Sequence, residues 1–191
     1  MVGIIGVDVD DTTADIVPEI LKFHNRVYAT NLMLKDMISY SFSKVWCVSQ
    51  EEAERRIALF YQSEEFRGIK PVEGAQQYLS RIKKRKVSIT ARPQSIVRET
   101  STWLSHYFRN QFNAVYFSAN PWVEGGSKVS KGEVCKKLEV RVMVEDNLHF
   151  AEECAESGIK VLLYDHPWNQ KEKLPKGVRR VYSWSEIADL V

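Results

Sequence analysis

Cysteine is scarce. The 191 residues include three, Cys47, Cys135 and Cys154. The count is odd and no two form a CxxC pair, so neither a disulfide framework nor a zinc site is indicated. A reducing compartment fits best, and a cytoplasmic location is expected. No apolar run approaches the ~20 residues that a membrane-spanning helix needs. Met1 is followed by a short apolar run that meets acids at once. It has no basic segment and no small-residue cleavage site, so no signal peptide is expected. A charge excess of one sign is also missing. The net charge is +2, too mild to argue for a nucleic-acid polymer as partner. Internal repeats and low-complexity segments are absent. What remains is ordinary globular composition, 44% hydrophobic and 27% charged, on a chain long enough for one domain with an elaboration or for two small ones.

Six short apolar runs read as strands: Gly3–Val9, Val87–Thr90, Ala114–Phe117, Val140–Val144, Lys160–Tyr164 and, more weakly, Val178–Tyr182. The first is continuous and rich in branched residues, as a strand buried on both faces should be. Helical spacing lies between the runs, over Gln94–Phe108, Lys131–Leu138, Leu148–Ser157 and Ser185–Leu190, with Gly158 at an expected C-cap. Strands alternating with helices imply βαβ units and a mainly parallel sheet. One stretch breaks the alternation. From Asp11 to about Lys70 no strong strand is found, while Ile16–Tyr28 and Glu51–Tyr61 look helical and Ile38–Val48 is aromatic and ambiguous. Sixty residues are too many for a loop. The expected architecture is an α/β, Rossmann-like three-layer core over residues 1–13 and 71–191, with a small helical cap over 14–70.

In open α/β sheets function collects at the carboxyl ends of the strands. The first strand ends in Asp8, Asp10 and Asp11; the second in Thr90, then Ala91 and Arg92; the fourth in Glu145 and Asp146. Lys128 and Lys131 precede a helix start. Carboxylates crowded this closely repel one another, and a bound cation would offset the repulsion. Oxygen ligands from Asp8, Asp10 and Asp146 suit Mg²⁺. One carboxylate could attack phosphorus, a second could move the proton, and a hydroxyl and an ammonium could neutralise phosphoryl oxygens. These parts suit phosphoryl transfer.

Asp8-Val9-Asp10-Asp11-Thr12 is similar to the first signature of the haloacid dehalogenase-like superfamily, and Thr90, Lys131 and Glu145-Asp146 resemble the second, third and fourth, in order, across nearly the whole chain. The helical stretch after strand one resembles that family's C1 cap. Pro71–Ala75, Ile89–Pro93 and Leu163–Asn169 look like the 5'(3')-deoxyribonucleotidase-like branch. The resemblance implies a Mg²⁺-dependent phosphomonoester hydrolase working through an aspartyl-phosphate, with a small phosphorylated substrate, a nucleoside monophosphate in that branch. It implies Asp8 as nucleophile and metal ligand, and Asp10 as general acid/base with its backbone carbonyl on the metal. Thr90 and Lys131 would hold the phosphoryl group, with Ala91 and Arg92 beside it, and Asp146 would complete the metal site. Relatives often have glycine where Asp11 stands, and Asp-Asp where Glu145-Asp146 stands. The ligand choice between those two, and the choice of Lys131 over Lys128, stay open at this point.

Other readings compete. A hydrolase of sugar phosphates or other small phosphomonoesters, or a phosphotransferase, would use the same parts. An idle phosphate-binding protein would keep the fold without turnover. A receiver-like signalling module would carry its acceptor aspartate on a middle strand and lack the long insert. Tyr40, Phe42 and Trp46 read as the insert's own core, unless a ring faces the cleft and stacks on a flat substrate. Arg92 has two uses, pairing with an acid or meeting phosphate. His166-Pro167-Trp168-Asn169 reads as a turn with a half-buried indole, or else as part of the pocket rim, and Lys83-Lys84-Arg85-Lys86 as a solvated turn. The four histidines show no ligand spacing. Monomer and homodimer are both compatible with the sequence.

Overall fold

A computed structural model describes residues 3–120, 128–170 and 173–191. Its centre is a six-stranded, all-parallel sheet in the order β3-β2-β1-β4-β5-β6. The strands are β1 (Ile4–Val7), β2 (Lys86–Thr90), β3 (Val115–Phe117), β4 (Val140–Glu145), β5 (Lys160–Tyr164) and β6 (Val178–Val181). Each of the six apolar runs read from the sequence forms one of them. Branched side chains favour the pleated backbone, and helices on both faces keep a parallel sheet dry. Val7, Ile89, Met143, Val144 and Leu163 are fully buried. Gly6 permits a close approach of β1 to β4, because a Cβ there would stand 2.7 Å from the Met143 sulfur.

Successive strands run one way from β1 to β3 and the other way from β4 to β6, so the order reverses between β1 and β4. Backbone loops leaving those two strands diverge there and open a crevice at their carboxyl ends. Four helices flank the sheet after β2: α6 (Val97–Tyr107), α7 (Lys131–Lys137), α8 (Leu148–Glu156) and α9 (Trp184–Leu190); α5 (Ala75–Arg81) leads into β2.

Between β1 and α5 the chain forms α1 (Ile16–Tyr28), the one-turn α2 (Phe42–Val45), α3 (Gln50–Phe60) and α4 (Glu64–Gly68), and no strand. The ambiguous aromatic stretch is α2 with its flanking turns. Ser49 and Ser63 cap α3 and α4 by accepting from Glu52 N and Phe66 N. The two crossings into and out of this segment lie side by side. Asp15 N donates to Lys70 O and Val72 N to Thr13 O, each at 2.9 Å, and Ala14 bridges Pro71. Inside the segment His24 is buried, stacked on Trp46 at 4.4 Å between centroids, with Thr30 Oγ1 at 2.8 Å on one ring nitrogen and Arg56 at 2.9 Å on the other. Burial, with the Arg56 charge beside it, pushes its pKa down to about 4.

The basic run needs one correction. Lys86 is not solvated: it is the first residue of β2, 8% exposed, and its ammonium donates to Ile82 O. No helix among the described residues is long and apolar enough to cross a membrane.

Candidate active site

The loop that follows β1 is built by its own hydroxyls and backbone. Thr13 Oγ1 donates to Asp8 O and Val9 O, and Ala14 N to Val9 O at 2.7 Å. The turn is made without glycine: Asp11 takes φ +49°, a left-handed conformation that aspartate tolerates better than most residues. Its Oδ1 accepts from Val17 N and so caps the first turn of α1. Asp11 is therefore the cap-forming acid of the group, fully buried, and burial drives its carboxyl well above the usual range.

Asp8 meets the third and fourth motifs at a buried ammonium. Lys131 Nζ stands 2.7 Å from Asp8 Oδ1 and 2.7 Å from Glu145 Oε2, and 4.4 Å above the Phe150 ring. It is 1% exposed. The helix start places it there: Ser130 and Glu133 form a reciprocal capping box, which makes Lys131 the first residue of α7. Gly132 then lets α7 press against α8, since a Cβ would lie 2.8 Å from Glu153 O and clash with Ser157. Lys128 is exposed, and of the two lysines it is Lys131 that meets Asp8 and Glu145. Burial works against the Lys131 charge, but Asp8 and Glu145 outweigh it and hold its pKa above the ordinary value. Burial also raises Asp8. Lys131 opposes that, Glu145 and Asp10 add to it, and the result is about 7.

One ligand oxygen each from Asp8, Glu145 and Asp146 lie within 4.8 Å of one another. Three buried carboxylates with one ammonium leave negative charge uncompensated, and hard oxygens so disposed fit a divalent cation of the Mg²⁺ kind. The two acids ending β4 are not equivalent. Both Glu145 oxygens are engaged, by Lys131 and by Asn147 N. Asp146 accepts from Trp168 Nε1 on Oδ2 at 2.9 Å, and its backbone carbonyl accepts from Asn169 Nδ2. Burial and the neighbouring acids raise Asp146 well above the usual carboxylate range. The segment Pro167–Asn169 is a turn, as its sequence suggests, but its indole is 9% exposed and orients a site carboxylate.

Asp10 is held differently. The Arg92 guanidinium grips it from Nε, 3.0 Å from each oxygen, and from Nη2, 2.6 Å from Oδ1. Arg92 thus pairs with an acid. Its backbone N donates to Thr90 Oγ1, so Thr90 sits just beneath the crevice, 1% exposed. Above the acids lies a cavity of about 240 Å³. Asp8, Asp10, Ala91, Arg92, Lys131 and Asp146 reach its walls, and Thr90 does not. The opposite walls come from the helical segment, including Tyr40, Phe42, Glu54 and Tyr61. Of the three aromatics read as insert core, only Trp46 is solely that; Tyr40 and Phe42 face the cavity. No local sequence signal marks Tyr61 for the cavity wall, and none marks the bond from Trp168 to Asp146.

Solved structures resemble this chain over its full length. A predicted phosphatase from Clostridium acetobutylicum superposes with a TM-score of 0.69 at 16% identity, covering 100% of this chain and 98% of that one. A haloacid dehalogenase-like hydrolase from Streptococcus pneumoniae gives 0.72 at 13%, covering 99% and 98%. A haloacid dehalogenase-superfamily hydrolase of subfamily IA from Geobacter sulfurreducens gives 0.64 at 20%, covering 100% of each. At these identities the likeness establishes the fold. No curated protein matches the sequence. The model of one family, described as "5' nucleotidase, deoxy (Pyrimidine), cytosolic type C protein", matches residues 2–191, and the chain belongs to that family of haloacid dehalogenase-like phosphatases.

Proposed function

We propose that the protein hydrolyses nucleoside monophosphates with Mg²⁺, through a phosphoryl group carried on Asp8. The observation that carries this reading is the buried Lys131 ammonium shared between Asp8 and Glu145 beside Asp146. A lysine so placed holds one Asp8 oxygen in a fixed direction and supplies positive charge where phosphoryl oxygens gather. Asp8 and Asp146, with the backbone carbonyl of Asp10, would hold the metal. Bound there, Mg²⁺ would neutralise the carboxylates and the phosphoryl oxygens.

Asp8 attacks phosphorus, and Asp10 gives its proton to the departing oxygen. Water then attacks the acyl phosphate while Asp10 takes the proton back. Ala91 and Arg92 line the phosphoryl end of the cavity, and Thr90 supports them from beneath by accepting from Arg92 N. The helical segment 14–70 acts as the cap, excluding bulk water and presenting Tyr40, Phe42 and Tyr61 to the leaving group. Flat aromatic walls and a cavity of about 240 Å³ suit one base and sugar rather than a polymer. The family description names a deoxynucleotide and pyrimidine activity, which supports the nucleotide over other small phosphomonoesters.

The test is phosphate release from ribo- and deoxynucleoside monophosphates, sugar phosphates and aryl phosphates, with and without chelator. Turnover of the nucleotides that vanishes with chelator and in Asp8→Asn is the expected result. Turnover confined to the other esters would keep the chemistry and remove the nucleotide.

A further inference from the structure

The hydrogen bonds on Asp10 are unevenly shared between its oxygens. Oδ1 accepts from Arg92 Nη2 at 2.6 Å and from Nε at 3.0 Å, while Oδ2 has only a share of Nε at 3.0 Å. The guanidinium cannot easily move. Its side chain is 2% exposed, Nη1 donates to Thr100 Oγ1 on α6, and Cζ lies 5.6 Å over the Phe66 ring of α4. The Asp10 side chain is 17% exposed and faces the cavity. A carboxyl with an exposed edge can swing about two torsions, whereas one gripped by a planar, immobile fork cannot.

We propose that Arg92 is a positioning residue for Asp10: it anchors Oδ1 and leaves Oδ2 as the oxygen that carries the transferred proton. The inference rests on the phosphatase reading above and assigns a residue to it. The geometry suits both halves of the cycle. Oδ1 keeps the capacity to accept both N–H groups when Oδ2 is protonated as well as when it is not. In the first half the Asp8 oxygen bonds to phosphorus, the ester P–O bond breaks, and its electron pair takes the proton from Oδ2. In the second, water oxygen bonds to phosphorus, its proton goes to Oδ2, and the Asp8–phosphorus bond breaks. Arg92 is not consumed and does not exchange a proton. Placing its fork on Asp10 also removes it from the phosphoryl group, the other use open to it.

The two uses differ in one measurable respect. Proton donation matters for an alkyl ester, whose alkoxide leaves poorly, and little for 4-nitrophenyl phosphate, whose phenolate leaves unaided. Phosphoryl binding matters equally for both. The experiment compares kcat/KM for a nucleoside monophosphate and for 4-nitrophenyl phosphate in native protein, Arg92→Gln, Arg92→Lys, Asp10→Asn and Arg92→Gln/Asp10→Asn, after thermal melts confirm folding. Arg92→Gln should lose at least about tenfold more on the alkyl ester than on the aryl ester, a part of the 10²–10⁴ typical of general acid catalysis as a whole. Arg92→Lys, which keeps the charge and loses the fork, should show the same split in weaker form. In the Asp10→Asn background Arg92→Gln should cost little further. Equal losses on both esters, or losses that multiply in the double variant, would overturn the inference and return Arg92 to phosphate binding or to the fold. No metal-dependent turnover of either ester by the native protein would remove the phosphatase reading, and the inference with it.

Discussion

Lys131 shows how much one side chain can hold. Its ammonium is the buried positive charge bonded to Asp8 and Glu145, so replacing it with methionine leaves those acids facing each other in a dry crevice. Removing one member of a buried ionic group costs about 3–5 kcal/mol. Lys131→Met should lose that much in a urea titration done with chelator, and Asp8→Asn in the same background should recover part of it. A surface role for the lysine would show neither effect. Trp168 allows a subtler test. Trp168→Phe keeps the ring and removes the donor to Asp146 Oδ2. Second-layer partners of this sort are worth roughly 10- to 100-fold in metal affinity. Titration calorimetry with Mg²⁺ should show a loss in that range, with the fold intact. The acids and Lys131 were legible in the sequence because they end apolar runs in a fixed order. The Ser130–Glu133 spacing fits a capping box, a signal left unused where the choice between Lys131 and Lys128 stays open. The Arg92–Asp10 grip spans 82 positions and the Trp168–Asp146 bond 22; no local pattern encodes either.

Among the elements, the strands were the easiest to read, since a parallel sheet covered on both faces demands unbroken branched runs. The segment between β1 and α5 was harder. Its helices are short, and the aromatic residues around α2 satisfy two environments at once, with Trp46 packed on His24 while Phe42 stacks on Trp46 and also reaches the cavity. His24 makes this segment sensitive to acid. Its pKa is about 4 folded, against an ordinary 6.5. Between those values the unfolded chain binds a proton that the folded chain refuses, so the contribution is intact above about pH 6.5 and declines as pH falls toward 4. At pH 5 the cost is about 2 kcal/mol, from 1.36 kcal/mol per unit. Urea midpoints measured at pH 7 and pH 5 should therefore fall more for native protein than for His24→Gln. An equal fall would mean that the ring titrates normally.

At the level of the whole molecule, sheet, crevice and helical segment are joined through one set of uncompensated acids. Binding a cation there stabilises the folded chain alone, by about 2.7 kcal/mol at a concentration one hundred times Kd. The melting temperature should rise steadily with Mg²⁺ concentration, and Asp146→Asn should flatten that rise. The fold class and the order of the motifs follow from the chain's pattern, whereas the cavity's shape does not, because its walls come from segments far apart in sequence. The paired crossings at Asp15–Lys70 and Thr13–Val72 have a further consequence. The fifty-odd residues beyond them enter and leave through adjacent backbone positions, as a branch leaves a trunk. A short turn could bridge the stump, and another branch could be grafted onto it, without shifting a single strand. On the function proposed above, the chemistry and the choice of what it acts on would be separately heritable parts of one polypeptide.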